Sequence, residues 1–245
     1  MRLPADETLL RCALASVWLA TGALVLHPGY RAAAAPWLDA VHLPDAVMWA
    51  TCGAEVLLGL LLLSPKAPRW VWPLQGAMVL AFTAILVVAD PALLAHPLGI
   101  LTKNIPFLLV VLALGAGPLP ATGLPKVLRL AAAVPWLTEG LLPKIAFQTP
   151  WELSLVPRMG FSASPTLVLT AVGVAQVVSG LLALTLRGRA LQVVLLCQVA
   201  ALIALPLWVG WLEPAWWVHP FGPLTKNLPI LAATVVLVRR CSSSS

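Results

Sequence analysis

The chain alternates between long apolar blocks and short polar breaks. A helix needs about 17–25 residues to cross a bilayer. Eight blocks are of this order: 8–26, 46–63, 71–89, 98–116, 127–146, 166–186, 189–212 and 221–238. Their apolar runs are unbroken, whereas a strand of a membrane barrel alternates apolar and polar residues over about ten positions. The pattern therefore predicts an all-α polytopic membrane protein with eight transmembrane helices in the lipid bilayer.

Two stretches of the chain are nearly the same sequence. Without a gap, 10 of the 17 positions in 90–106 are identical to those in 213–229, and both stretches end on Leu-Thr-Lys-Asn-x-Pro. Further matching pairs are Trp18 with Trp136, Gly22 with Gly140 and Gln75 with Gln198. Self-similarity over such a distance indicates a tandem duplication.

The duplication divides the chain into two repeats of four helices. The segments are a first repeat at 1–118, a Gly/Pro-rich linker at 119–125, a second repeat at 126–240 and a disordered tail at 241–245. Gly and Pro are typical of a break between units. Because four is even, both repeats enter the membrane in the same orientation, as parallel repeats. Two four-helix bundles side by side are the simplest arrangement.

The longest connections between predicted helices are 27–45 and 147–165, at the same place in each repeat. They join the first and second predicted helices of each repeat. They carry Trp37 and Trp151, and tryptophan is enriched at the membrane–water interface. We expect both side chains to act as interfacial anchors.

Composition and charge support the membrane assignment. Apolar residues make up 60% of the chain and charged residues 10%, with mean hydropathy +0.95, whereas a soluble domain has about 25% charged residues. The net charge of +6 reflects topology rather than nucleic-acid binding. On one side of the eight helices lie Arg2, Arg11, Lys66, Arg69, Lys126, Arg129, Arg187, Arg189, Arg239 and Arg240, against five basic residues on the other. The positive-inside rule places both termini in the cytoplasm and the repeated motifs at the outer face of the cell membrane (inner or plasma).

The repeated motif places a hydroxyl, an ammonium and an amide within one helical turn. The residues are Thr102, Lys103 and Asn104 in the first repeat and Thr225, Lys226 and Asn227 in the second. If the helices begin near Leu98 and Phe221, the lysines lie roughly 7–8 Å into the membrane. Pro106 and Pro229 cannot donate a backbone hydrogen bond, which would free a threonine carbonyl. The motif is therefore either a binding site or a capped helix start with lysines that reach the headgroups.

Only two carboxylates lie within the predicted spans, Glu55 and Glu139. An unpaired carboxylate at the bilayer centre costs about 2.5–3.5 kcal/mol, so each needs a partner or a proton. Helical rise predicts that Glu139 pairs with Lys226 inside the second repeat and Glu55 with Lys103 inside the first. The alternative is that these are buried structural ion pairs without a role in binding.

His96 and His219 occupy equivalent outer positions, each followed by proline. They could meet near the axis that relates the repeats and hold a metal or haem, or each could hydrogen-bond its own turn. No second histidine stands at ligand spacing, so we predict no metal site. The chain has no nucleotide fingerprint or nucleophile motif, and its catalytic residues, if any, stay unknown.

Two elements of the second repeat resemble the DoxX-like family of four-helix membrane proteins. They are Trp136-x-x-Glu139-Gly140-Leu141-x-Pro143-Lys144 and Gly222-Pro-x-Thr225-Lys226-Asn227-x-Pro229. The first repeat resembles a degenerate unit, since it has Thr21 where the pattern has glutamate. The resemblance implies a small membrane protein tied to redox metabolism. Relatives occur as a subunit of a thiosulfate:quinone oxidoreductase, or fused to nucleotide-binding reductase-like domains.

These observations lead to an expected function. We expect a membrane subunit or anchor of a redox system, with a redox enzyme subunit as partner and a pocket for a quinone or other small molecule near the outer face. The binding candidates are Glu139, Lys226, Asn227, Thr225, His219, Trp136, Glu55, Lys103, Asn104, Thr102 and His96. Parallel repeats with intramembrane charges are equally typical of a small-molecule or proton-coupled transporter. A non-catalytic membrane scaffold is the third alternative, and enzymatic activity is left open.

Overall fold

A computed structural model describes residues 4–96, 98–120 and 125–242, and these ranges are helical with no strand. The first repeat contains α1 (Ala5–Ala23), α2 (Pro28–Ala40), α3 (Asp45–Leu63), α4 (Val71–Ala89) and α5 (Ile100–Gly115). The second contains α6 (Lys126–Leu141), α7 (Pro150–Arg158), α8 (Pro165–Thr185), α9 (Gly188–Leu212) and α10 (Asn227–Ser242). A π-helical turn, Leu142–Ala146, continues α6.

Five of the described helices are long and apolar enough to cross a membrane: α1 with the turn after it, α3, α4, α8 and α9. The helices α5, α6 and α10 each have 16 residues and occupy the other three predicted spans. An all-helical membrane protein is therefore what the structure supports directly. The full set of eight spans stays a prediction.

The two long connections are partly helical, which the pattern of apolar blocks does not predict. Pro28 and Pro150 occupy the first positions of α2 and α7, where proline loses no hydrogen bond. The backbone N–H of Gly29 donates to the His27 ring at 3.1 Å, and the Thr149 hydroxyl caps α7 in the same way. These caps satisfy donors at the helix starts and so favour a short helix in each connection.

The last helix begins later than predicted, at Asn227 rather than near Phe221. The backbone before it is turned at Gly222, whose φ of 62° suits glycine. The carbonyl of Thr225 accepts a hydrogen bond from Leu228 N at 3.0 Å. Pro229 therefore frees no carbonyl, because it stands in the first turn of α10. In the first repeat, by contrast, the corresponding proline lies inside α5.

The C-terminal end of α10 extends into the predicted tail. Cys241 is buried in the core and Ser242 is the last residue of the helix, so the prediction of disorder is wrong for these two positions. The rest of the tail, 243–245, and residues 121–124 of the predicted linker lie outside the described residues.

The two repeats interlock and share one core. The fourth long helix of each repeat packs against the first helix of the other: α5 against α6, and α10 against α1. Inside each repeat the first helix packs closely on the second long helix, α1 on α3 and α6 on α8. A Cβ on Gly22 or Gly140 would lie 2.6 Å from a carbonyl oxygen of that facing helix. Two separate bundles would keep each repeat's polar groups apart, whereas this arrangement brings the two lysine motifs together.

Candidate functional site

The repeated motifs meet at the centre of the molecule and exchange hydrogen bonds. Lys103 Nζ donates to Asn227 Oδ1 at 2.9 Å, and Lys226 Nζ donates to Asn104 Oδ1 at 2.9 Å. Each lysine therefore binds the asparagine of the other repeat. We call these four side chains the cross-brace. The chain places them together because α5 and α10 enter the shared core from the two repeats.

The carboxylate of Glu139 lies beside the cross-brace, but its partners differ from the prediction. Lys144 Nζ lies 3.0 Å from it and Lys103 Nζ 3.6 Å, and Gln176 Nε2 donates to it at 3.1 Å. The predicted pairing with Lys226 inside the second repeat is therefore wrong. The reason is the packing of α5 on α6, which turns the lysine of the first repeat towards Glu139.

A further carboxylate completes this group. Glu152 on α7 is 5% exposed, and one of its oxygens lies 3.0 Å from Lys144 Nζ. Two cations and two carboxylates thus form a balanced network, which we call the charge network: Lys103, Lys144, Glu139 and Glu152. Glu152 is not among the candidates that the sequence singles out, because it lies in a connection outside the predicted spans. The local sequence does contain one indication of a helix at Glu152: the threonine three residues before it, which caps α7.

Glu55 has a very different environment in the first repeat. It is 6% exposed, and its Oε2 has no hydrogen-bond partner in the described part of the chain. The charge of Lys226 acts on the Glu55 carboxylate. Within the described ranges, however, Lys226 and Glu55 form no ion pair of 4.0 Å or less. The predicted pairing of Glu55 with Lys103 is therefore wrong, since Lys103 belongs to the charge network.

Two cavities flank the cross-brace, one in each repeat. The first has a volume of about 120 Å³ and the second about 70 Å³. The polar and aromatic lining of the first includes Trp18, Trp37, Glu55, Asn104, Phe221 and Lys226. The second is lined by Trp136, Glu139, Gln176, Lys103, Asn227 and the apolar side chains of α9. The cavities are related by the duplication, and each receives its lysine from the other repeat.

A row of five aromatic rings crosses both repeats beside the motifs. In order the rings are Trp37, His219, Trp216, His96 and Trp151, with neighbouring centroids 5.3, 4.7, 5.5 and 5.0 Å apart. Each histidine contacts the short connecting helix of the other repeat. Trp37 and Trp151, which we predict to be interfacial anchors, form the two ends of this row.

Each of the two histidines stabilises the turn that follows it by accepting a backbone hydrogen bond at Nδ1. His96 accepts from Leu98 N at 3.1 Å and His219 accepts from Phe221 N at 3.4 Å. Burial lowers the pKa of both imidazoles to about 4, so both are neutral at pH 7. The described residues contain no group of three His, Cys, Asp or Glu side chains placed to hold a metal ion.

The two threonines of the motif also stabilise turns, each through a hydrogen bond from its hydroxyl. The hydroxyl of Thr102 donates to Gly99 O and that of Thr225 to Gly222 O, each at 3.0 Å. These bonds fix the backbone that presents the lysines. Both threonines were candidates for binding, and the structure assigns each hydroxyl a bond within its own turn.

Comparison with known proteins agrees with this architecture. A family model described as the DoxX-like family matches the chain twice, at residues 15–112 and 133–235. The fold and the duplicated lysine motifs thus define an integral membrane protein built from two related units, and the chain belongs to the DoxX-like family. No curated protein and no solved structure matches it.

Proposed function

We propose that this protein binds a quinone or a similar small ring compound in the cavity of the first repeat, as a membrane subunit or anchor of a redox system. The observation that carries the proposal is a ring-sized cavity with aromatic walls and a buried lysine and asparagine in its lining.

The volumes of the cavities distinguish the two repeats. A dry apolar cavity of about 150 Å³ is large enough to bind benzene. The first cavity, at about 120 Å³, approaches that size, whereas the second, at about 70 Å³, is roughly half of it. A six-membered ring with small substituents therefore suits the first cavity.

The lining of the first cavity suits a ring that carries oxygen atoms. Trp18, Trp37 and Phe107 offer aromatic faces, and such rings stack or pack edge to face. Lys226 Nζ lies 3.7 Å from the centre of the Phe221 ring and uses one hydrogen bond on Asn104. An ammonium has three donors, so Lys226 has donors available for a carbonyl oxygen.

The proposed topology places this cavity on the outer side of the membrane. Eight spans with both termini in the cytoplasm put the start of α5 and α10, and with them the cross-brace, near the outer surface. In this arrangement a hydrophobic ligand enters from the bilayer. The redox enzyme subunit expected from the sequence would supply or accept electrons.

The test is a binding titration of the purified protein in detergent. Trp18 and Trp37 line the cavity, so a bound quinone should quench tryptophan fluorescence saturably. Val79→Phe fills the first cavity, and Leu202→Phe places the same ring in the second, at the duplicated position. We expect Val79→Phe to weaken quinone binding by about tenfold, which corresponds to about 1.4 kcal/mol, and Leu202→Phe to leave it unchanged.

Absence of saturable quenching in the folded wild-type protein, together with no quinone in a solvent extract of it, would overturn the proposal. Equal weakening by both variants would also contradict it, since the two cavities would then not differ.

One observation favours a second candidate, a proton-coupled transporter. Glu55 is a buried carboxylate with an unpaired oxygen in the wall of a cavity, and such groups mark proton relays in membranes. Pyranine-loaded proteoliposomes with a candidate substrate outside would show proton flux for a transporter. Flux that disappears in Glu55→Gln would favour this function over a redox anchor.

A further inference from the structure

The first cavity contains a buried acceptor that the protein leaves unpaired. Glu55 lines this cavity, and its Oε2 has no hydrogen-bond partner among the residues described. A buried polar atom without a partner costs about 1–3 kcal/mol, and more when it is charged. A ligand that donates a hydrogen bond to this oxygen would remove that cost.

The neighbouring hydroxyls in the cavity wall are committed elsewhere. Thr21 acts on the Glu55 carboxylate through a side-chain hydrogen bond, but its hydroxyl also donates to the carbonyl of Val17 at 2.9 Å, and Oε2 stays unpaired. The hydroxyl of Thr51 donates to Val47 O at 2.8 Å. Tyr30 is hydrogen-bonded to Cys52 Sγ at 3.3 Å. Neither the Thr51 bond nor the Tyr30 bond includes Glu55.

The corresponding site in the second repeat shows what a satisfied carboxylate looks like. The side-chain nitrogen atoms of Lys103, Lys144 and Gln176 all lie within 3.6 Å of the Glu139 carboxylate oxygens. Gln176 stands at the position equivalent to Glu55, and an amide there carries its own donor. The second cavity also has unpaired buried atoms, Trp136 Nε1 and Gln176 Oε1, but its carboxylate is supplied with donors by the protein. In the first cavity the carboxylate itself lacks a donor.

We infer that the first cavity binds the reduced, hydroxyl-bearing form of its ligand, a quinol, more tightly than the quinone, with Glu55 accepting the hydrogen bond from the quinol hydroxyl. This inference rests on the proposed function. A quinone has only acceptor oxygens, so it satisfies Lys226 and leaves Glu55 unpaired. A quinol has both O–H donors and acceptor oxygens, so it satisfies the two residues together.

The experiment compares a short-tailed benzoquinol, kept reduced under anaerobic conditions, with the matched benzoquinone. Isothermal titration calorimetry on the full-length protein in detergent gives both dissociation constants. We expect the wild-type protein to bind the quinol at least about fivefold more tightly, the lower end of the effect of satisfying one buried acceptor. In Glu55→Gln the new amide can donate to a quinone, and we expect the preference to fall to about twofold or less.

Gln176→Leu is the matched control, because it alters the equivalent position in the second repeat. It should retain the full preference for quinol. Circular dichroism and size exclusion confirm that each variant is folded before its titration.

The outcomes separate the inference from the proposed function. If quinone and quinol bind with equal affinity, the inference is overturned and the quinone site stands. A preference that survives in Glu55→Gln overturns the role of Glu55, and would leave an ordered water as the partner of this oxygen. If neither ligand binds the folded wild-type protein, the proposed function fails and the inference with it.

Discussion

The two repeats contain the same parts and use them differently. In the second repeat the carboxylate of Glu139 is held by two cations and an amide, and the adjacent cavity is small. In the first repeat Glu55 has an unpaired oxygen, and the adjacent cavity is larger by about 50 Å³, the difference between 120 and 70. The second repeat thus contains a site whose carboxylate is fully paired, and the first contains a larger cavity with an unpaired carboxylate oxygen.

A single substitution contributes much of this difference. Lys144 has Leu26 at the equivalent position of the first repeat, 118 residues earlier, and Leu26 is 73% exposed. The second repeat therefore has a second cation for its carboxylates and the first does not. Lys144 also forms an ion pair with Glu152 on α7. The charge network is absent from the first repeat because its central cation is absent.

The largest expected effect comes from removing that cation. Lys144→Met leaves Glu139 and Glu152 with only Lys103 nearby, and an uncompensated buried charge costs about 3–5 kcal/mol. We expect a loss of this size in the free energy of unfolding, measured by chemical denaturation in micelles with circular dichroism. The equivalent Leu26→Met should change it by about 0.5 kcal/mol or less.

The double variant Lys144→Met with Glu152→Gln provides the rescue, since it removes one cation and one carboxylate together. It should regain most of the lost stability. Equal stabilities for Lys144→Met and Leu26→Met would show that the charge network does not hold the second repeat.

The cross-brace gives a smaller, asymmetric effect. Asn104→Leu removes the acceptor of Lys226 and the donor to Thr83 Oγ1 at 2.8 Å. We expect it to cost about 1–3 kcal/mol of unfolding free energy. Asn227→Leu should cost less, because Lys103 keeps Glu139 as a partner. The same denaturation assay measures both, and the reverse order would contradict the assignment of partners.

The aromatic row predicts a pH dependence shared by both repeats. Burial lowers the pKa of His96 and His219 to about 4 in the folded protein, against about 6.5 for an unperturbed histidine. The unfolded chain therefore takes up protons first as pH falls. The stabilisation is complete above pH 6.5 and is lost as pH falls through 4.

Thermal unfolding at pH 7.5 and pH 5 measures this dependence. The two histidines together should cost about 4 kcal/mol at pH 5, so we expect the midpoint to be lower there by about 8–16 °C. His96→Phe and His219→Phe keep a ring in the row, and each should remove about half of the difference. An unchanged pH dependence in the double variant would assign it to other groups.

The smallest expected effect is at Glu55. Because its Oε2 makes no hydrogen bond and no ion pair within 4.0 Å is found in the described residues, Glu55→Gln should change the unfolding free energy by about 1 kcal/mol or less. Glu139→Gln should cost more, since it weakens two ion pairs. Denaturation of the two variants side by side tests this contrast, and equal losses would mean that both carboxylates are structural.

The sequence predicted most of the helices closely, because their boundaries follow hydrophobic length. The predicted span 71–89 has the bounds of α4, 46–63 differs from α3 by one residue at its start, and 166–186 differs from α8 by one residue at each end. The errors lie where local turn chemistry decides. The turn at Gly222 delays the start of α10, and the caps at His27 and Thr149 favour short helices in the connections between predicted spans.

For the site, the sequence identified the polar residues and assigned them the wrong partners. It placed Lys103, Lys226, Glu55 and Glu139 within one region because charges are rare in apolar segments. The helical register then paired each lysine with the carboxylate of its own repeat. Register measures depth along a helix but carries no information about which helices are neighbours, so the exchange between repeats could not be foreseen.

What the sequence determined by itself is therefore the duplication, the apolar helices and the identity of the few polar groups among them, since each is a local property of the chain. The tertiary structure alone decided that α5 packs on α6 and α10 on α1. That packing depends on side chains far apart in sequence, and it determines which charges neutralise one another and which cavity stays open. The difference between the two repeats arises at this level.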